Sequence, residues 1–153
     1  MDIAGSSDIE SCPYLYLREL GEPADNRLRV VVEEAVANPS DYPAGGPHSE
    51  YRPIESTENC RLFELLWDAY VAYGVRNESL TILDDTESRT GRLLCVYSQS
   101  HFLDYVRRAT FATDEHPGPV QHISINCLNH VVDVVSVAPP RIHSLRHAAP
   151  RTS

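Results

Sequence analysis

Leu62-Phe63-Glu64-Leu65-Leu66-Trp67-Asp68-Ala69-Tyr70-Val71-Ala72-Tyr73-Gly74-Val75 is the most apolar stretch of the chain, and its period decides the fold class. Read as a helix, it leaves Arg61, Glu64, Asp68 and Ala72 as a narrow polar stripe, and residues 62–69 have good helix propensity. Read as a strand, Phe63, Leu65, Trp67, Ala69, Val71, Tyr73 and Val75 share one face, because successive side chains alternate. The unbroken odd-numbered face and the Tyr- and Val-rich second half select one long strand.

Working outward, residues 14–17 and 28–32 are rich in aromatic and β-branched side chains, with turn chemistry between them from Gly21 to Asn26. They predict a hairpin, with a short helical turn over residues 33–37 as the alternative continuation. Residues 38–59 hold Pro39, Pro43, Gly45, Gly46, Pro47 and Pro53 and form a long loop carrying Tyr42, His48, Tyr51 and Arg52. Beyond the apolar stretch, residues 80–83 and 92–97 read as two strands around the polar loop 84–91. Ser98 or Ser100 then caps a helix whose Phe102, Tyr105, Val106 and Ala109 follow helical spacing. Residues 120–137 are again strand-like, with Asn129 allowing a break or bulge, and Pro139-Pro140 ends regular structure. These elements sum to an α+β fold, an antiparallel β-sheet with one principal helix (about residues 100–112) packed on it. The expected organisation is a flexible N-terminus over 1–11, one domain over 12–140 and a flexible basic tail over 141–153.

Composition narrows the functional classes. The chain of 153 residues is long enough to bury a core, and its net charge is −9. Residues 138–153 carry Arg141, Arg146 and Arg151 and no acid, so the acidity is concentrated in the preceding body. Such a body repels phosphate backbones, and nucleic-acid binding is not expected. All 13 basic residues are Arg, whose planar fork suits bidentate pairing with carboxylates. The polar opening lacks a signal-peptide pattern and no apolar run approaches membrane length, so a cytoplasmic protein is expected. Cys12, Cys60, Cys95 and Cys127 are far apart and read as reduced, buried thiols. Paired zinc motifs, calcium loops, Gly-rich dinucleotide loops and H-E-x-x-H are absent, and neither a metal nor a cofactor is expected.

Two constellations could carry chemistry. His122, Cys127, His130 and Asp133 supply a thiol, imidazoles and an orienting carboxylate. On one continuous strand, however, His122, Asn126 and His130 face one side while Cys127, Asn129 and Asp133 face the other. Arg76-Asn77-Glu78-Ser79 places a charged cluster at a strand end, with Arg76 suited to a carboxylate and Glu78 to general-base work. Ser98-Gln99-Ser100-His101 lacks glycine and reads as helix capping. The reading these residues favour is a noncatalytic protein-binding module that inhibits or neutralises a specific protein partner, as small acidic bacterial immunity-type proteins do. Tyr42, His48, Tyr51, Arg52, Glu64, Asp68 and Arg76 are its candidate contacts. The alternative is a small hydrolase or transferase using His122, His130 and Asp133 with Glu78 or Cys127. A sheet edge near residues 131–137 would allow a homodimer.

Overall fold

The computed structural model describes residues 2–38, 46 and 52–147. In chain order it contains α1 (Ser6–Glu10), β1 (Tyr14–Gly21), β2 (Leu28–Ala37), β3 (Ile54–Glu55), β4 (Leu62–Trp67) and β5 (Ala72–Asn77). A 3-10 turn (Glu78–Leu80) follows, then β6 (Ser88–Thr90), β7 (Leu94–Gln99), α2 (His101–Ala109), β8 (Gln121–Asn126), β9 (His130–Ser136) and β10 (Arg141–Arg146). The fold is α+β and antiparallel as expected, but it holds two sheets. The first runs β1-β2-β4-β10 with β3 also beside β2; the second runs β5-β9-β8-β7-β6.

The deciding stretch is strand on both sides of a break. β4 lies in the first sheet and β5 in the second, and residues 68–71 cross between them. The odd-numbered face holds through β4 but not through the crossing, where Ala69 is exposed, Val71 packs on the far side under the helix and Val75 is 43% exposed. Phe63, Leu65 and Trp67 are buried in the core and Tyr73 packs against it. Their partners are Leu15, Leu28, Val30 and Val32 from the first sheet and Leu94, Ile123, Ile125, Val132 and Val134 from the second. A second, smaller cluster forms where Leu103 and Val106 of α2 settle on Val135, with Phe102 and Val71 alongside. The helix lies over the outer face of the second sheet, making the layers sheet, sheet, helix.

Several expectations are corrected. β2 continues through Ala37, so the helical alternative over residues 33–37 falls; Val36 and Ala37 are held by β3. Residues 80–83 are not a strand: Asn77 Oδ1 accepts from Ser79 N–H, winding the chain into the 3-10 turn, and the residues after it find no strand partner. The helix buries Leu103 and Val106, while Tyr105 of the expected face is exposed. The homodimer edge is also misplaced, since β9 is hydrogen-bonded to β5 on one side and β8 on the other. Tyr42, His48 and Tyr51 lie outside the described residues.

Among the described residues, the segments expected to be flexible at both ends carry structure. Ile3, Ile9 and Cys12 are buried in the core. Glu10 Oε1 accepts three successive backbone N–H groups, from Arg92 (3.1 Å), Leu93 (2.9 Å) and Leu94 (2.7 Å). Arg92 returns the tie, donating to the carbonyls of Glu10 and Pro13 at 2.9 and 3.0 Å. Charge-assisted bonds of this kind are about twice as strong as neutral ones. At the other end, β10 pairs with β4, burying part of Ile142, and Arg146 reaches Glu33 at 2.6 Å.

Two residues bear disproportionate structural weight. Asn129 presents its amide to β1 as if it were a neighbouring strand: Oδ1 accepts from Leu17 N–H at 2.9 Å and Nδ2 donates to Leu17 O at 3.1 Å. Replacing it by Ala leaves both backbone groups without that partner. Urea unfolding of Asn129→Ala is expected to show a loss of roughly 1–3 kcal/mol. Gly91 sits at φ +95°, and a Cβ there would lie 2.2 Å from the Leu94 carbonyl oxygen. Gly91→Ala is therefore expected to cost at least about 2 kcal/mol in the same assay.

Candidate functional site

The outer face of the second sheet carries a group of buried polar side chains, and strand register determines which of them meet. Four residues, 127–130, separate Asn126 of β8 from Val131, its partner in β9. A connection of even length reverses parity, so even-numbered residues of β8 share a face with odd-numbered residues of β9. His122, Ser124 and Asn126 therefore stand beside Val135, Asp133 and Val131. The alternation of one continuous strand separated His122 from Asp133; the hairpin joins them.

The result is a chain of four polar groups. Ser100 caps α2 by accepting from Leu103 N–H at 3.0 Å, and its Oγ lies 2.7 Å from His122 Nδ1. His122 Nε2 lies 2.8 Å from Asp133 Oδ1, and Asp133 Oδ2 accepts from Arg76 Nε at 3.1 Å. One arrangement satisfies the polar side-chain atoms of Ser100, His122 and Asp133: Ser100 donates to Nδ1 and the Nε2–H donates to Asp133. The Tyr97 ring stacks on the imidazole with centroids 4.3 Å apart, and Phe102 meets it edge-on at 5.3 Å. Ser100, His122 and Asp133 are only 1%, 2% and 3% exposed, so water does not compete for these bonds. This chain works as a clasp that fastens the start of α2 to the sheet.

The other catalytic candidates do not join it. Cys127 lies in the core between the sheets, where burial pushes its thiol up to about 12 and keeps it protonated. His130 begins β9 at the hairpin turn and faces Asn77 of β5 across the ladder. Glu78 is exposed in the 3-10 turn. No group of three or more His, Cys, Asp or Glu among the described residues is arranged to hold a metal ion.

The candidate binding residues divide between two faces. Glu64 and Asp68 belong to the outer side of the first sheet, within a lattice of arginines. Glu64 accepts from Arg29 at 2.5 Å and meets His143 at 3.2 Å, contacts that lower its pKa. Asp68 meets Arg141 at 2.7 Å and Arg27 at 3.3 Å and is lowered likewise. Arg52 is exposed, and Arg76 lines the second sheet's outer face.

Beside Arg76, residues 78–87 form an arch over that face. At the β5 end, Thr81 Oγ1 donates to Asn77 O at 3.3 Å, supporting the Asn77-capped turn. At the α2 end, Asp84 Oδ2 meets His101 Nε2 at 2.7 Å and Glu87 Oε2 accepts from His101 N–H at 3.1 Å. Glu87 thereby occupies the helix start, where backbone amides and the helix dipole favour an anion. Beneath the arch lies a cleft of about 370 Å³ bordered by Arg76, Arg89, Tyr97, Asn126 and Val131. A second cleft of similar size, over His122 and Asp133, shares Arg76, Ile82, Asp84 and Glu87 with it.

The arch itself turns apolar side chains outward. Leu80, Ile82 and Leu83 are 80%, 77% and 85% exposed. Sequence reasoning took this run as a strand because aliphatic residues flanked by polar ones read that way. Arg89, Tyr97, Ile82 and Leu83 were thus missed; the one available signal was that residues 80–83 lack a clean apolar–polar alternation.

No known protein family, curated protein or solved structure matches the chain.

The Asp84–His101 latch is exposed and titratable. Thr86, chiefly, and then His101 hold the Asp84 carboxyl down at about 2, while Asp84 raises the His101 imidazole above its ordinary 6.5. The imidazole's share of the stabilisation is full below 6.5 and is lost as pH rises through its raised folded value; the carboxylate's share is full above 3.8 and is lost as pH falls through about 2. NMR titration of the His101 ring is expected to give a midpoint above 6.5 that returns towards 6.5 in Asp84→Asn. An unchanged midpoint in the variant would remove the latch.

Proposed function

We propose that the protein is a noncatalytic protein-binding module that engages a specific partner through the arch and the cleft beneath it, neutralising that partner by covering it. The observation that carries this reading is the exposure of Leu80, Ile82 and Leu83 on a segment tied down at both ends. Contiguous exposed aliphatic side chains are costly to leave in water, and such patches mark interaction surfaces. Anchoring at both ends means that little ordering entropy is lost on binding. Arginine and tyrosine at the rim, here Arg76, Arg89 and Tyr97, are the residue types that dominate binding energies at interfaces.

The alternative of a small hydrolase or transferase has less support. Of its five candidate residues only His122 and Asp133 meet, and the polar side-chain atoms of both are already engaged. The contacts expected at Glu64 and Asp68 are supported less than those of the arch, because arginines of the same face neutralise both carboxylates.

The test replaces Leu80, Ile82 and Leu83 together by Ser. The folded state is expected to be retained, since all three are exposed and none belongs to the buried clusters. Affinity for the partner captured by the native protein is expected to fall at least about tenfold, whereas Glu64→Gln with Asp68→Asn leaves it within a few-fold. Undiminished capture by the triple variant would move the binding surface elsewhere.

A further inference from the structure

The cleft under the arch contains an incomplete charge arrangement, and its geometry specifies what would complete it. Arg76 reaches in from β5 and Arg89 from β6, the two opposite edge strands of the second sheet. Each guanidinium is held at one position by the protein and presents a free edge. Arg76 commits Nε to Asp133, leaving its two Nη groups without a partner among the described residues. Arg89 commits Nη1 to the Tyr97 hydroxyl at 3.3 Å, leaving Nε and Nη2, and it meets no carboxylate among the described residues. A guanidinium edge with two parallel N–H groups is the geometry that grips a carboxylate with two hydrogen bonds.

The neighbouring acids do not fill these edges. Both Asp84 oxygens are engaged, by Thr86 and by His101, and Glu87 is drawn to the helix start. Asn126 spends its amide on Arg92 O and on Cys95 Sγ, so it is turned away from competition for an anion. The rim of the same cleft is aliphatic, from Ile82 and Leu83. Asp84, Asp85 and Glu87 also line the cleft, so the two arginine edges attract by directed hydrogen bonds and not by an excess of positive charge. That selects a singly charged, planar anion carried on an otherwise uncharged chain. The nearby Asp84 and Asp85 disfavour a phosphate of higher charge.

We propose that this cleft is the anchoring subsite of the binding surface and takes a Glu or Asp side chain of the partner, gripped between Arg76 and Arg89, with the partner's flanking apolar residues on Ile82 and Leu83. The inference rests on the arch being the binding surface. It identifies the residue type that the surface recognises. It also assigns Arg89 and Tyr97 distinct parts: Arg89 touches the carboxylate, and Tyr97 orients Arg89 while covering the His122 clasp.

The experiment needs no partner. N-acetyl-glutamate-N-methylamide is titrated into the whole protein while the side-chain Nε–H resonances of Arg76 and Arg89 are followed by NMR. The neutral analogue N-acetyl-glutamine-N-methylamide and inorganic phosphate are run alongside. Saturable shifts of both resonances with the glutamate probe alone are expected. Arg89→Gln is expected to weaken that binding about tenfold, and Arg89→Lys to restore little of it, because an ammonium cannot present the fork. Arg89 is exposed on an edge strand, so these variants are expected to fold; Arg76, bound to a buried carboxylate, is left intact. Equal responses to the glutamate and glutamine probes, or a response to phosphate alone, would overturn the proposal. Should the glutamate probe fail while the arch variant still loses its partner, the carboxylate anchor falls and the binding-module reading stands. Should the probe bind while the arch variant keeps its partner, the anchor holds as a carboxylate site independent of that surface.

Discussion

Residues 127–130 separate the paired Asn126 of β8 and Val131 of β9, and the length of that connection determines which side chains face which layer. With Asn126 opposite Val131, Ile123, Ile125, Val132 and Val134 all turn inward, while His122, Asn126, Val131 and Asp133 turn outward. One residue more or fewer would reverse β9 and push Asp133 into the core in place of Val132 or Val134. The same turn supplies Asn129, whose amide pairs with Leu17 of the other sheet, and Leu128, whose N–H donates to Leu15 O at 2.8 Å. A single short loop thus sets the register of one sheet and ties down the edge of the other.

Around that turn, the chain uses carboxylates to close loops onto backbone amides. Glu10 gathers the N–H groups that open β7, and Glu87 takes the first free amide of α2. Each fixes a segment with few apolar side chains to bury, since residues 84–87 have none and residues 91–93 have only Leu93. Elsewhere acids pair with arginine, as at Glu34 and Arg61, where the arginine contacts outweigh the cost of burying the carboxylate and its pKa falls. An acidic chain can in this way satisfy much of its charge internally while remaining strongly negative overall.

The two faces of the sandwich differ in how complete they are. On the first sheet's outer side, Glu19, Glu33, Glu64 and Asp68 are answered by Arg18, Arg29, Arg141 and Arg146. On the second sheet's outer side the His122 clasp is closed, but the neighbouring cleft holds arginine edges without carboxylates and aliphatic side chains without cover. A surface with both kinds of unmet demand side by side is the part of this molecule that gains most from a partner.

The antiparallel character, the β1–β2 hairpin, the capped helix at Ser100 and the break at Asn129 were all legible in the sequence, because each depends on neighbours within a few residues. The odd-numbered face of β4 was legible for the same reason, and Phe63, Leu65 and Trp67 pack as it implies, whereas beyond the crossing only Tyr73 follows it. The crossing at residues 68–71 was not, since alternation continues through it and only the presence of a second sheet separates β4 from β5. Residues 80–83 misled for a related reason: aliphatic composition signals burial, but nothing in the run says whether a cover exists. The meeting of His122 with Asp133 hinged on the parity of one turn, and the cleft that Arg76 and Arg89 both border on which strands became opposite edges. Local propensity and periodicity are properties of the chain; strand order, register across a turn and the absence of cover arise only when distant segments pack.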